Sequence, residues 1–305
     1  MRAKDAGGDE FRELRAVMFS IAYRMVGSVS EAEDIVQEAF IRFQGVSDRV
    51  EITSPRAYLS TVTTRLAIDY LRSARARRET YVGPWIPEPL LTEVVPEAGH
   101  DADAVDSLSL AFLVLLENLS PLERAVFLLR DVFDYGYGDI SEIVERSEDN
   151  CRQLAVRARK RLEERRPRFE SSRPQRDELA RRFFAACREG DTEALVDLLA
   201  AEVIFYGDGG GKGRGLPQPV HGVTRVSRLL QGFFVRYRQI DADMRFAQVN
   251  GQPGALFFDS EGRLINVFAL DVADGLVQTV RSIINPDKLG HLGYPLSRLA
   301  SADRG

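Results

Sequence analysis

Cysteine, histidine and tryptophan are all scarce in this 305-residue chain. Two cysteines, Cys151 and Cys187, cannot build a disulfide framework or a cysteine zinc site. Three histidines (His100, His221 and His291) disfavour a dedicated zinc centre, and no cofactor is implied. No apolar run reaches the roughly 18 residues that span a bilayer. The opening MRAKDAGGDEFRELR lacks the apolar core of a signal peptide. These absences predict a cytoplasmic protein and disfavour secreted, membrane and zinc-finger classes. Low complexity is missing too: 44% hydrophobic and 29% charged residues can supply cores of ordinary size. At roughly 150 residues per domain the length predicts two domains, or three small ones.

Excess positive charge is also absent, since the net charge is -5. Its distribution is uneven, however. Arg65 to Arg78 holds five arginines and one acid, Asp69. Arg152 to Arg168 holds eight basic residues and two acids, Glu163 and Glu164. Acids dominate Glu31 to Glu38 and Glu88 to Asp106. Two separated basic segments in an acidic chain point to local phosphate contacts, although each alone also fits a solvated helix face.

The pattern divides the chain into blocks. Over residues 10–78, Phe11, Leu14, Met18, Ile21 and Met25 fall at helical spacing. Gly27 ends that helix, and Ser30 with Glu33 reads as the capping box of the next. Residues 44–54 read as a loop. Ser54 and Pro55 then open a third helix. Residues 79–106 form a linker around GPWIPEP, where proline favours extended chain. The single Trp85 among these prolines points to docking rather than a free spacer.

Residues 107–168 are again helical. Ser120-Pro121-Leu122-Glu123 opens a helix with both a cap and an early proline. DYGYGD breaks the chain. A short apolar helix, a turn at Ser147 to Asn150 and a basic helix follow, which together read as helix-turn-helix. Residues 173–290 start as helix (Asp177–Glu189, Thr192–Leu199). They then show strand-like stretches at Val203–Tyr206, Met244–Val249, Ala255–Asp259, Leu264–Asp271 and Leu276–Ile284, with Gly-rich turns between them. That order predicts an α+β domain with a curved antiparallel sheet. Residues 291–305 read as a poorly ordered tail.

The basic helix carries the clearest chemistry. If Cys151, Leu154, Ala155, Ala158 and Leu162 are buried, then Arg152, Gln153, Val156, Arg157 and Lys160 project outward. The second helix of such a motif enters the major groove, where arginine pairs with guanine and glutamine with adenine. Arg157, Arg159, Lys160 and Arg161 would then hold phosphates. In the first basic segment, Tyr58, Arg65, Asp69, Tyr70 and Arg72 can line one helix face. Rings beside cations suit a melted strand, though tyrosines at such spacing also fit a core.

Two segments resemble a known family. AEDIVQEAFIRF (Ala32–Phe43) with SPRAYLSTVTTRLAIDYLR (Ser54–Arg72) resembles the promoter-melting domain of extracytoplasmic-function (ECF) sigma factors. LSPLERAVFLLRDVFDYGYGDISEIV with its basic helix is similar to their −35-binding domain. The resemblance implies that Asp34, Gln37 and Glu38 meet the beta-prime clamp helices of core RNA polymerase, with the beta flap as a further contact. It implies that Tyr58, Arg65, Asp69 and Arg72 read the −10 element of promoter DNA, and that Arg152, Gln153, Arg157 and Lys160 read the −35 element. Arg65 departs from the asparagine that many members carry there.

GPWIPEP, DGGGK (Asp208–Lys212) and NPDKL (Asn285–Leu289) resemble three markers of an ECF subgroup with a fused SnoaL-like (NTF2-like) extension. The implied architecture is two all-α domains, the second with helix-turn-helix, followed by an α+β NTF2-like cone with a curved antiparallel sheet. The implied function is promoter-directed transcription initiation, with the extension acting as a regulator in cis. Trp85, Pro87, Asp208, Gly209, Gly210, Gly211, Lys212, Asn285, Pro286, Asp287 and Lys288 would form its seams. DGGGK is not a nucleotide-binding loop, because that pattern needs glycine at 206 and Ser or Thr at 213. Its glycines instead suit a tight turn, with Asp208 and Lys212 free to make charge contacts. An NTF2-like cone could also hold a small molecule. As an enzyme it would need an acid/base pair, for which Tyr206, Asp208 and His221 are the nearest candidates. No second partner is clear, so an enzyme is not expected. The alternative reading is a DNA-binding regulator whose cone binds or turns over a small molecule.

Overall fold

The structure, a computed structural model, describes residues 3–45, 52, 54–78, 81–92, 107–163, 172–213 and 215–300. Much of the expected 44–54 loop, the linker after Thr92 and the end of the basic helix lie outside the described residues. The chain forms two compact units. One comprises Met1–Glu79 with Leu115–Arg166, and the other Thr80–Val114 with Pro167–Gly305. The linker segment thus belongs to the C-terminal unit.

The first unit is helical. Helices α1 (Ala3–Val26), α2 (Val29–Gly45) and α3 (Pro55–Arg78) pack through Met18, Ile21, Met25, Ile35, Val36, Leu59, Ile68 and Leu71, all buried. Ser54 caps α3, its Oγ accepting from the Ala57 N–H at 3.3 Å. Ser30 does not cap α2. Ser28 does, accepting from the Glu31 N–H at 3.2 Å, because α2 starts one residue before Ser30; Glu33 turns outward to Arg15.

Helix α4 (Leu110–Leu116) leads into α5 (Pro121–Phe127), where Ser120 and Glu123 form the expected capping box. A π-helical turn, Leu128–Val132, continues α5. Helices α6 (Tyr137–Val144) and α7 (Glu148–Glu163) complete the helix-turn-helix, with Glu145 left-handed at the turn (φ 54). Cys151, Leu154, Ala155, Ala158 and Leu162 are its buried stripe, as the spacing predicts.

The second unit holds α8 (Arg173–Glu189), α9 (Thr192–Leu198), β1 (Leu199–Asp208), β2 (Val220–His221), α10 (Val223–Gln239), β3 (Asp243–Val249), β4 (Gln252–Phe258), β5 (Leu264–Ala273) and β6 (Leu276–Ile283). The six strands form one sheet in the order β2-β1-β6-β5-β4-β3. Sequence reading missed α10, whose apolar Val226, Leu230 and Phe234 recur at helical spacing. The sheet is mixed rather than antiparallel throughout, since β1 pairs with β6 in parallel. The physical reason is that α10 and four strands intervene before the chain returns beside β1. The consequence is that DGGGK, after β1, and NPDKL, after β6, leave the sheet at the same end.

Helices α8, α9 and α10 cover one face of the sheet through Phe183, Phe184, Leu195, Leu230 and Phe234. The other face is covered by Ile86 of the linker, Leu110 at the start of α4, and Leu289, Leu292, Tyr294 and Leu296. Burial on both faces explains why β4 and most of β5 read as continuous apolar runs. The expected loose tail is packed as far as Ala300. The Ser297 hydroxyl donates to Asp259 at 2.6 Å, and Leu296 bridges to Leu264. Its apolar residues complete the second core, which the sequence pattern did not signal. Among the described residues, no helix is long and apolar enough to cross a membrane.

Candidate functional site

Helix α2 presents Asp34, Gln37 and Glu38 on its outer side. Asp34 and Gln37 are exposed, and Glu38 is half-exposed and paired with Arg42 at 2.8 Å. One turn on, Ile41 is 55% exposed. An outward apolar residue flanked by acids at i−3 and i−7 and an amide at i−4 is a helix-docking pattern. Sequence reading missed Ile41, although the heptad spacing from Asp34 carried the signal.

Tyr58, Arg65, Asp69 and Arg72 form one stripe of α3, seven, four and three residues apart. Tyr58 packs against Phe43, with ring centroids 5.9 Å apart. Asp69 pairs with Arg72 at 3.2 Å. Arg65 is committed to a different task. Its Nε donates to the Ile143 carbonyl at 2.9 Å and a terminal nitrogen to the Glu142 carbonyl at 2.8 Å. A third contact reaches Glu145 at 3.0 Å. Arg65 thus caps the last turn of α6, where carbonyls and the helix dipole favour a cation. Arg124 makes the reciprocal contact. Fully buried in α5, it donates to the Met25 carbonyl at the end of α1 at 2.5 Å and to Glu117 at 2.9 Å. Burial lowers its guanidinium to about 9.

The outward residues of α7 divide into two groups. Arg152 is held by Glu148 (2.6 Å) and Asp149 (3.1 Å) over the Tyr137 ring. Arg157 and Arg161 approach Glu123 at 3.9 and 2.7 Å, and Arg159 pairs with Asp131 at 2.8 Å. Burial pushes the Glu123 carboxyl up, but Ser120 and the Arg161 and Arg157 guanidinia outweigh it and hold it below the usual range. Gln153, Val156 and Lys160 are exposed beside them. Most cations read from the sequence as phosphate holders therefore already have acidic partners.

The linker forms a strap across the C-terminal unit. Asp208, fully buried at the end of β1, accepts from the Ile86 N–H and the Lys288 ammonium at 2.8 and 2.7 Å. The Tyr81 hydroxyl donates to its other oxygen. Burial and the Asp208 charge push that hydroxyl up. The Lys288 ammonium also donates to the Ile86 carbonyl and lies 4.7 Å from the Tyr81 ring centroid and 4.5 Å from that of Trp85. Asn285 donates to Tyr81 at 3.0 Å, and its Oδ1 starts the 3-10 turn Pro286–Lys288 by accepting from Asp287. Lys212 and Asp287 pair at 2.6 Å in solvent. Gly210 needs its left-handed φ of 58 and would drive a Cβ into Asn285; Gly209 sits against the backbone of Gly215, and Gly211 faces Val82 of the strap. Pro87 is buried. Farther along, Asn250 binds the Leu90 N–H at 2.8 Å and the Leu108 carbonyl at 2.9 Å, and Thr92 pairs with Gln248.

Residues 11–77 match Sigma-70 region 2, residues 109–162 match Sigma-70 region 4, and residues 180–283 match a SnoaL-like domain. The chain is 38% identical over 312 residues to the ECF RNA polymerase sigma factor SigJ of Mycobacterium tuberculosis, covering 97% of this chain and 96% of that one. The chain belongs to the ECF RNA polymerase sigma factors. It is also 33% identical to the probable ECF RNA polymerase sigma factor SigI of the same organism, covering 96% and 98% of the two chains. The crystal structure of M. tuberculosis SigJ superposes with a TM-score of 0.74 at 35% identity, over 95% of this chain and 99% of that one. This sigma factor therefore directs core RNA polymerase to promoters, and its partners are core polymerase and promoter DNA.

The SnoaL-like domain of this sigma factor does not carry the acid/base set considered from sequence. Its interior cavity, about 70 Å³, is lined by residues such as Phe205, Phe233, Tyr237, Asn266 and Ser282. Tyr206 and Asp208 instead serve the strap side of the sheet, and His221 is exposed. Alternation along β1 puts Tyr206 and Asp208 there. No group of residues able to hold a metal ion occurs among the described residues.

Proposed function

We propose that this sigma factor is held in a resting arrangement by two devices, the reciprocal arginine caps of the helical unit and the strap of the SnoaL-like unit. Asp34, Gln37, Glu38 and Ile41 bind the beta-prime clamp helices, with the beta flap as a second polymerase contact. Tyr58, Asp69 and Arg72, joined by Arg65 once released, read the −10 element. Arg152, Gln153, Arg157 and Lys160 read the −35 element.

The Arg65 cap on α6 supports the resting arrangement. Two elements about 25 base pairs apart lie roughly 80 Å apart along B-DNA. A stripe on α3 that touches the helix-turn-helix cannot serve both at once. Initiation therefore requires Arg65 and Arg124 to leave their carbonyls, and Arg65 then becomes available to DNA. The same requirement explains why arginine stands where many relatives carry asparagine.

The strap supports regulation in cis. The only covalent path from region 2 to region 4 passes through residues that Asp208, Lys288 and Asn250 bind. Holding them shortens the free chain between the two promoter-reading blocks. A signal acts on this equilibrium only by binding one arrangement better than the other.

Run-off transcription with purified core polymerase tests the proposal. Full-length protein, Arg65→Ala and a chain ending before Asn285 are compared on promoters selected with the same holoenzyme. Altered initiation in both variants is expected. Wild-type output from both overturns the resting-state reading while leaving family membership intact.

A further inference from the structure

The larger cavity of the SnoaL-like unit is not inside the cone. It lies on the opposite face of the sheet, under the strap, with a volume of about 450 Å³. That falls within the roughly 300–1,000 Å³ usual for small-molecule sites. Trp85 and Ile86 of the strap, Tyr206 of β1, Arg281 of β6 and the rim residues Pro217 and Pro219 line it.

We infer that this cavity binds a small ring-bearing carboxylate. Arg281 is the determinant. It is 7% exposed and donates one terminal nitrogen to Asp271, which is as deeply buried. A guanidinium has five donors, so one contact leaves most of its fork unused. The described residues supply no other hydrogen-bond partner to it, and its guanidinium lies 5.7 Å from the Tyr206 ring centroid. Asp271 Oδ1 is likewise buried without a partner. A buried ion pair whose carboxylate keeps one oxygen unpartnered, and whose guanidinium lines a cavity with donors to spare, is a poor purely structural device. A carboxylate can take two parallel guanidinium N–H donors. Walls of Trp85, Tyr206 and proline offer faces to a planar ring.

Occupancy would reach the strap directly, because Trp85 also covers the Lys288 ammonium. That consequence rests on the proposed regulatory role of the strap; the binding does not.

Trp85 is the only tryptophan of the chain, so its emission reports this site alone. Phenylacetate is titrated into the full-length protein, with calorimetry in parallel and the uncharged phenylacetamide as control. Saturable change is expected with phenylacetate, and at least tenfold weaker binding of phenylacetamide, the usual scale for a charge-assisted pair. Pro217→Glu puts a negative charge on the exposed rim without touching the Arg281 pair. It should weaken phenylacetate about fivefold or more at unchanged melting temperature. Arg281→Gln should abolish binding, with circular dichroism confirming the fold. No saturable signal below about 10 mM overturns the site, as does equal binding of the amide or indifference to Pro217→Glu. Run-off transcription with phenylacetate is scored separately. Binding without effect on initiation keeps the site and removes its link to the strap.

Discussion

Lys288 and Asp208 meet at 2.7 Å with neither side chain open to solvent, in segments 80 residues apart that parallel pairing of β1 and β6 brings together. Two aromatic rings of the strap enclose the ammonium, so the strap supplies part of the solvation that the buried lysine has lost. An ion pair completed by a third segment makes that segment hard to remove.

Asp208→Asn keeps the shape but leaves the Lys288 charge without its counter-ion. Breaking one side of a buried pair costs about 3–5 kcal/mol. Thermal unfolding followed by Trp85 emission should show the C-terminal unit melting roughly 10 °C lower, at a few degrees per kcal/mol. The double variant Asp208→Asn/Lys288→Met should recover most of the loss. An unchanged melting temperature for the single variant would show the pair to be dispensable.

Lys212 and Asp287 join the same two segments, yet both are more than half exposed. Exposed pairs contribute under about 1 kcal/mol. Lys212→Ala should therefore shift the melting temperature by no more than a few degrees and leave strap proteolysis unchanged. Sequence alone weighted Asp208 and Lys212 alike as interface charges. Charge reversal at Asp208 is not neutral to folding, because burial separates the two residues.

That contrast marks what the chain made legible. Helical blocks, the N-cap at Ser54, the capping box at Ser120, the basic recognition helix and five of six strands follow from local pattern. So did the three Gly/Pro segments that meet at the strap. What was hidden depends on pairing between distant elements. The parallel β1–β6 contact cannot be read from either strand. Arg65 and Arg124 look like ordinary helix arginines until the carbonyls of another helix stand before them. The order of residues 291–300 arises from apolar side chains too sparse to show a period.

Arg65→Ala removes two hydrogen bonds to α6 carbonyls and one exposed ion pair. Each hydrogen bond contributes about 1 kcal/mol, so the closed helical unit should lose roughly 2 kcal/mol. Run-off transcription at limiting sigma factor should rise several-fold if release of α6 is part of initiation. A fall would mean that Arg65 contributes more to reading the −10 element than to closure.

Glu123 gathers Arg157 and Arg161 while capping α5. Glu123→Gln keeps an acceptor for the cap but frees both guanidinia. The expected cost in stability is about 1 kcal/mol, with tighter −35 binding. Each arginine that gains a phosphate adds about 0.9 to the slope of log affinity against log salt. Fluorescence anisotropy at several salt concentrations checks this; an unchanged slope would mean that neither arginine reaches a phosphate.

Asp259 ties the last described residues to the sheet, accepting from Ser297 at 2.6 Å and from the Arg263 side chain at 3.0 Å. Burial pushes its carboxyl up, but Ser297, Arg263 and the Glu261 N–H outweigh that and bring it down to about 2 from 3.8. The folded form therefore holds its proton less tightly than the unfolded chain. The stability this confers is present above about pH 4 and is lost as pH falls toward 2. Asp259→Asn should remove that dependence while lowering stability at neutral pH. Denaturant titrations at pH 7, 4 and 2.5 should show the wild type and the variant converging in acid. A constant difference between them across this range would place the acid sensitivity elsewhere.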